Sequence, residues 1–362
     1  MKIHVLYKFI DGPWGGANQF LKELKRYFVE KKLYTDDPRD ADIILFNSDQ
    51  RSVRAGLREL YMLTSTTNAV MVNRVDGPIA LRNIGFERFD TVIADLNNVL
   101  FDGCVFQSEW SFLRMHECAE ALKPPHVVIH NGASRNLFYP RRNGTAGNNE
   151  RIKIIATSWS KNYRAKGFDI YEYLDNNLDL TRYAMTFVGH SPIEFKNIRK
   201  QEPVDSETLG TILREHDIYI TASINDPCSN ALIEGLVCGL PAVVRNSGGH
   251  PELIGKGGVV FNDTADIIKA IDTVAADIAG YKEHLPVFDF CKVANEYLEF
   301  FDMLLSQRQK CKSCFKQINI GRICLLSSAR LRLFDLGHSM NNKFKGIKQK
   351  MRLGNRSCCQ TS

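Results

Sequence analysis

No stretch of the 362-residue chain approaches the ~18 consecutive apolar residues of a membrane span, so no bilayer crossing is expected. The opening residues, Met1 to Phe9, lack the apolar run and small-residue cleavage site of a secretory leader. They alternate like a first β-strand, and the expected location is the cytoplasm. Neither an internal repeat nor a low-complexity tract is present. Acidic residues all but vanish at one end: from Arg308 onward there are 13 Lys and Arg against one acid, Asp335, which puts +12 there and leaves −6 for the body of a chain whose net charge is +6. That basic end, with "LLSSARLRLF" and "FKGIKQKMRL", fits either a solvated tail or peripheral contact with an anionic membrane surface. No nucleic-acid motif accompanies the charge, so nucleic acid is not an expected partner.

Cysteine is not scarce, at ten residues, but a chain of this length needs no covalent staples. Cys118, Cys238 and Cys291 sit in apolar segments and read as small buried hydrophobes. Cys311, Cys314 and Cys324 offer three thiolates without an evident fourth ligand, short of a structural zinc site.

With 44% apolar and 24% charged residues, the chain has a soluble globular composition, long enough for two domains of about 100–200 residues. Apolar runs alternate with amphipathic stretches as βα units do. "IHVLY", "ADIILFNS", "NAVMVNRV", "TVIADL", "CVFQS" and "HVVIHNGA" read as strands of a first unit, 1–140. The polar "RRNGTAGNNE" (141–150) reads as a linker. The rhythm then restarts in 151–282 with strands "IKIIATS", "YAMTFVG", "DIYITAS", "PAVVRN" and "GVVF" between helical stretches. A closing helix at 283–305 and a tail at 306–362 complete the plan. The expected fold class is α/β, two doubly wound parallel sheets facing one cleft.

The densest chemistry lies in "DPCSNALIEGLVCGLPAVVRNSGGHPE". It follows the carboxyl end of a strand, the edge where open α/β sheets bind ligands. Asp226 reads as a helix N-cap and Pro227 as the first helical residue, aiming the N–H groups of Cys228, Ser229 and Asn230 at an anion. Glu234 follows two turns later on nearly the same face. Gly248 and Gly249, before His250, let backbone N–H groups approach a phosphate. Carboxylates suit sugar hydroxyls and exposed N–H groups suit phosphate; a nucleotide sugar has both. Each part also has a plainer reading, as cap, surface acid or turn, and only their joint order favours the ligand.

That order resembles the retaining glycosyltransferases of family 4, which have the GT-B architecture of two facing Rossmann-like domains. The resemblance rests on Asp226-x7-Glu234, Gly239-Leu240-Pro241 and Gly248-Gly249-His250-Pro251-Glu252, and extends over about residues 1–305. It implies that Glu234 holds the ribose hydroxyls and Asp226, one methylene shorter than the family's usual Glu, contacts the donor sugar. It also implies that Lys166 in "WSKNYRAKGFD" clamps the diphosphate. Ser160 stands where the family's Arg is usual, so Lys161 or Arg164 is expected to supply the second cation. Gly15 and Gly16 in "GPWGGANQF" match the family's glycine-rich loop beside the donor phosphates. Arg74 and Asp76 are read either as acceptor-binding residues or as an internal ion pair. "HNGASRNLFYP" is read as structural, and Ser108 has no assigned purpose.

The resemblance implies transfer of a hexose-type unit from a nucleoside-diphosphate sugar to a hydroxyl acceptor with retention. No cofactor is expected, and no Asp-x-Asp metal site is evident beside these residues. Two alternatives stay open: a nucleotide-sugar epimerase on the same architecture, and a non-catalytic binding protein.

Overall fold

The structure, a computed structural model, describes residues 1–11, 16–82, 87–117, 122–141 and 151–310. Gly15, Cys118, most of the expected linker, and the tail beyond Lys310 with its three clustered cysteines lie outside these residues.

The first sheet is parallel, ordered β1 (Ile3–Leu6), β2 (Ile43–Asn47), β3 (Val70–Val75), β4 (Gly103–Phe106), β5 (His126–Val128). The chain leaves β1 through α1 (Gly16–Glu30) and makes a parallel bridge from Tyr34 to Ile3. It then crosses to β2. Winding direction therefore reverses at β1, which places a topological switch point between β1 and β2. Helices α2 (Gln50–Thr66), α3 (Glu87–Leu100) and α4 (Glu109–Glu117) link the remaining strands.

The second sheet contains β6 (Ile152–Ser158), β7 (Tyr183–Gly189), β8 (Arg199–Gln201), β9 (Ile218–Thr221), β10 (Ala242–Arg245) and β11 (Gly258–Phe261), in the order β11-β10-β9-β6-β7-β8. Its switch point lies between β6 and β9. Around it run α5 (Phe168–Asn177), α6 (Ser206–Arg214), α7 (Asn230–Val237), α8 (His250–Ile254), α9 (Ile267–Ala276) and α10 (Ile278–Glu283).

Three expectations change. "TVIADL" is not a strand but part of α3. Val92, Ile93, Leu96 and Leu100 fall at helical spacing and are buried together with α2 residues against one face of the first sheet. Cys291 is exposed, whereas Cys104, Cys228 and Cys238 are buried. Helix α11 (Phe290–Lys310) runs into the segment expected as tail. Its residues Phe290, Val293, Tyr297, Phe301 and Leu304 pack with Phe20, Leu24 and Phe28 of α1 on the opposite face of the first sheet. The chain thus returns from the second domain to complete the core of the first. No helix among the described residues is long and apolar enough to cross a membrane.

Candidate active site

Both switch points open onto one cavity of about 810 Å³ between the domains. From the first domain it is bordered by the residues after β1 and β2, including Tyr7, Gly16, Asp49 and Arg51. From the second it is bordered by Trp159 and Lys166 after β6 and by the stretch Asp226–Ala231 with Glu234 after β9.

Lys166 is placed by its neighbour. Gly167 has φ +67°, and a Cβ there would lie 2.0 Å from the Ala222 carbonyl oxygen, so the turn packs tightly against the end of β9. Lys166 Nζ then stands 3.4 Å from Asp226 Oδ2. Burial alone would raise the Asp226 carboxyl; Lys166, followed by His250 and Arg82, outweighs it and holds the group below its ordinary range. The side chain of Glu234, half-buried at the wall, makes no hydrogen bond among the described residues, and burial pushes its carboxyl up to about 8.

The local structure at the acid pair differs from the sequence reading. Asp226 does not cap the helix and Pro227 is not helical. The cap of α7 is Ser229, whose side chain accepts from Leu232 N–H, and the helix begins at Asn230. This shift frees the Asp226 carboxylate for the cavity. The first-turn N–H groups of Asn230 and Ala231 have no intrahelical partners and sit beside the same cavity. At its far end, α7 closes with Leu240 N–H donating to the Gly235 carbonyl and Gly239 N–H to that of Leu236, the bonding that the Cys-Gly-Leu-Pro sequence supplies.

Several expected ligand contacts are occupied elsewhere. Cys228 is buried, with its thiol pushed up to about 12 by burial, so it is no nucleophile. The Asn230 side chain bridges the domains, donating to the Gly16 carbonyl at 2.9 Å and accepting from Asn131 Nδ2 at 2.7 Å. Gly248 (φ +68°) and Gly249 do not line the cavity. Gly249 N–H donates to the Asp226 carbonyl at 2.9 Å, so the double glycine lets this loop close against the backbone of residue 226 rather than against a phosphate. His250 is fully buried, neither ring nitrogen makes a hydrogen bond, and burial pushes it down to about 4. Lys161 and Arg164 are exposed and away from the cavity lining.

Arg74 is neither an acceptor contact nor an ion-pair partner of Asp76. It is fully buried, donates to Asn47, Gln107 and Asn131 at 2.6, 2.7 and 2.8 Å, and its guanidinium lies over the Phe20 ring. Amide oxygens, each a partial negative charge, stand in for a carboxylate here. Asp76 does reach the cavity, where it accepts from Gln107 and lies 3.6 Å from Arg82.

Sequence reasoning missed Arg82, which lines the cavity from the loop after β3, and it missed how the domains are joined. Glu252, at the end of the Gly-Gly motif, accepts from the N–H groups of Glu109 and Trp110 at the start of α4 and from His130 at 2.6 Å. Ser108 has a purpose too: its Oγ accepts from Ser111 N–H in the same helix start. The ligand-edge rule would have flagged Arg82, since it follows the carboxyl end of a strand; the Glu252 contact joins residues far apart in the chain and carries no linear signal. Among the described residues, no three His, Cys, Asp or Glu side chains come together to hold a metal ion.

Residues 181–277, the core of the second domain, match the family described as Glycosyl transferases group 1. No curated protein matches the sequence. Solved structures share its architecture. Anabaena HepE in complex with UDP-glucose is 14% identical, with a TM-score of 0.64 over 84% of this chain and 100% of its own. Sucrose-phosphate synthase from Thermosynechococcus elongatus, also 14% identical, has a TM-score of 0.59 over 80% of this chain and 78% of its own. The pneumococcal O-GlcNAc transferase GtfA in complex with UDP and GlcNAc, 12% identical, gives 0.52 over 72% and 57%. The shared fold is GT-B: two parallel α/β domains facing a cleft.

Proposed function

We propose that the protein is a retaining, metal-independent glycosyltransferase that moves a hexose-type unit from a nucleoside-diphosphate sugar to a hydroxyl acceptor. The carrying observation is the convergence of Lys166, Asp226, Glu234 and the start of α7 on one interdomain cavity, within and beside the segment that matches the family. The UDP and UDP-sugar complexes of two structural neighbours favour a uridine nucleotide.

In this reading Glu234, whose side chain makes no hydrogen bond among the described residues, accepts hydrogen bonds from the ribose hydroxyls once its proton has left. The α7 N-terminus and Lys166 stabilise the charge that grows on the diphosphate as it departs. Asp226, held beside Lys166, contacts the sugar. The C1–O bond to phosphate breaks while a bond from the acceptor oxygen forms on the same face, and the departing diphosphate oxygen takes the acceptor's proton.

A non-catalytic binding role is favoured by one observation, the position of Lys161 and Arg164 away from the cavity. Screening UDP-, GDP- and ADP-sugars by thermal shift with EDTA present tests both readings, because a ligand at 100 times its Kd adds about 2.7 kcal/mol of stability. A shift with one donor, abolished in Glu234→Ala and accompanied by release of the nucleoside diphosphate when acceptors are added, supports transfer. A shift with neither transfer nor hydrolysis supports binding alone.

A further inference from the structure

A departing diphosphate calls for cationic partners, and the second domain brings only Lys166 of its expected cations to the cavity, already 3.4 Å from the Asp226 carboxylate. The first domain supplies Arg82 to the same cavity. Arg82 Nη2 donates to the Asp76 carbonyl at 3.1 Å and lies 3.6 Å from the Asp76 carboxylate, which itself accepts from Gln107. Its Nε is buried and has no hydrogen-bond partner among the described residues. A buried guanidinium N–H left unmade is costly, and Arg82, unlike the equally orphaned Nε of Arg74, borders a cavity from which a ligand oxygen can complete it.

The position of Arg82 relative to the second domain is also fixed. Asn225, the residue before Asp226, reaches across and donates from Nδ2 to the Leu81 carbonyl at 3.0 Å. That bond ties the residue preceding Arg82 to the residue preceding Asp226, and Arg82, Lys166 and Asp226 border the same cavity. Arg82 is close enough for its charge to act on the Asp226 carboxyl. A guanidinium offers phosphate oxygens a planar fork of donors that an ammonium cannot.

We propose that Arg82 is the second cation of the donor diphosphate site, supplied by the first domain in place of the residues near Ser160, so that the phosphates are held from both sides of the cleft. This rests on the nucleotide-sugar reading above. It makes the donor site complete only when the domains meet.

Calorimetric titration of wild type, Arg82→Gln and Arg82→Lys with UDP and with uridine tests it; GDP with guanosine or ADP with adenosine replace these if the donor screen selects another base. The expected result is about a 10- to 100-fold loss of UDP affinity in Arg82→Gln with uridine affinity within about twofold, and a smaller loss in Arg82→Lys, which keeps charge without the fork. UDP and uridine weakened alike, or neither weakened, would overturn the inference; unchanged UDP affinity with a raised acceptor KM would move Arg82 to the acceptor. If wild type binds none of UDP, GDP and ADP, it is the donor reading that falls, and this inference with it.

Discussion

Lys166 Nζ lies 3.4 Å from Asp226 Oδ2, and both side chains line the cavity between the domains. Replacing Lys166 by Met removes the cation nearest a carboxylate that is only 18% exposed and withdraws a donor from the leaving diphosphate. Turnover is expected to fall by about 10²- to 10³-fold, the usual effect of losing one preorganised charge partner. Asp226→Asn, of the same shape, is expected to lower kcat while leaving donor affinity nearly intact. Steady-state kinetics separates the two.

Glu234 makes nucleotide binding proton-linked. Its carboxyl, raised to about 8, is protonated at pH 7 in the free protein, whereas ribose hydroxyls donate best to the carboxylate. Donor binding at pH 7 is therefore expected to release a proton, visible as different binding enthalpies in buffers of different ionisation heat. Glu234→Gln should abolish the difference.

The same group sets a stability trend. An acid raised in the folded state contributes stability that is present in full below its ordinary pKa and is lost as pH rises through the folded value. Wild type should therefore lose stability relative to Glu234→Gln between about pH 4.5 and 8, with a constant gap above that. Melting temperatures across this range provide the check, and a flat difference would contradict it.

Glu252 joins the domains without touching the cavity. Glu252→Ala leaves the N–H groups of Glu109 and Trp110 uncapped, a loss of about 1 kcal/mol, and removes the His130 contact. A lower Tm, slower turnover and weaker nucleotide binding are expected, the last because the donor site draws on both domains. Burial would raise the Glu252 carboxyl, but the His130 and α4 hydrogen bonds outweigh it and hold it low. Its contribution is accordingly present above the ordinary glutamate range and lost as pH falls through the depressed value.

Arg74 is a framework residue. Arg74→Met strands the buried amide oxygens of Asn47 and Asn131 and leaves that of Gln107 with Asn131 Nδ2 alone, and Arg74→Lys cannot reach all three, so both variants are expected to lose stability on the order of 3 kcal/mol. Denaturant unfolding measures it. A fully stable variant with a raised acceptor KM would restore the acceptor assignment.

The second domain was the more legible half. Its elements follow one another through short connections, and the strands read in it all form; β8, α8 and α10, of three, five and six residues, went unread. In the first, "TVIADL" shows why a short apolar run is ambiguous: Val92, Ile93 and Leu96 suit a buried strand and a helix face equally, and only packing decides. The acid pair and Lys166 were visible because one strand–loop–helix unit carries each. Roles set across the cleft were not. Gly249 looks like a phosphate loop and closes on Asp226 instead; Arg74 looks like a cleft cation and is buried among the side chains of Asn47, Gln107 and Asn131; Arg82 and Asn131 gain their meaning from the opposite domain.

The return of α11 to the first sheet bears on synthesis. Domains commonly fold in the order in which they emerge from the ribosome. Here the face of the first sheet that carries Phe20, Leu24 and Phe28 lacks its cover until Phe301 and Leu304 have been made. The first domain must wait, partly uncovered, while the whole second domain is translated, so the later-made half is the one free to fold on its own first.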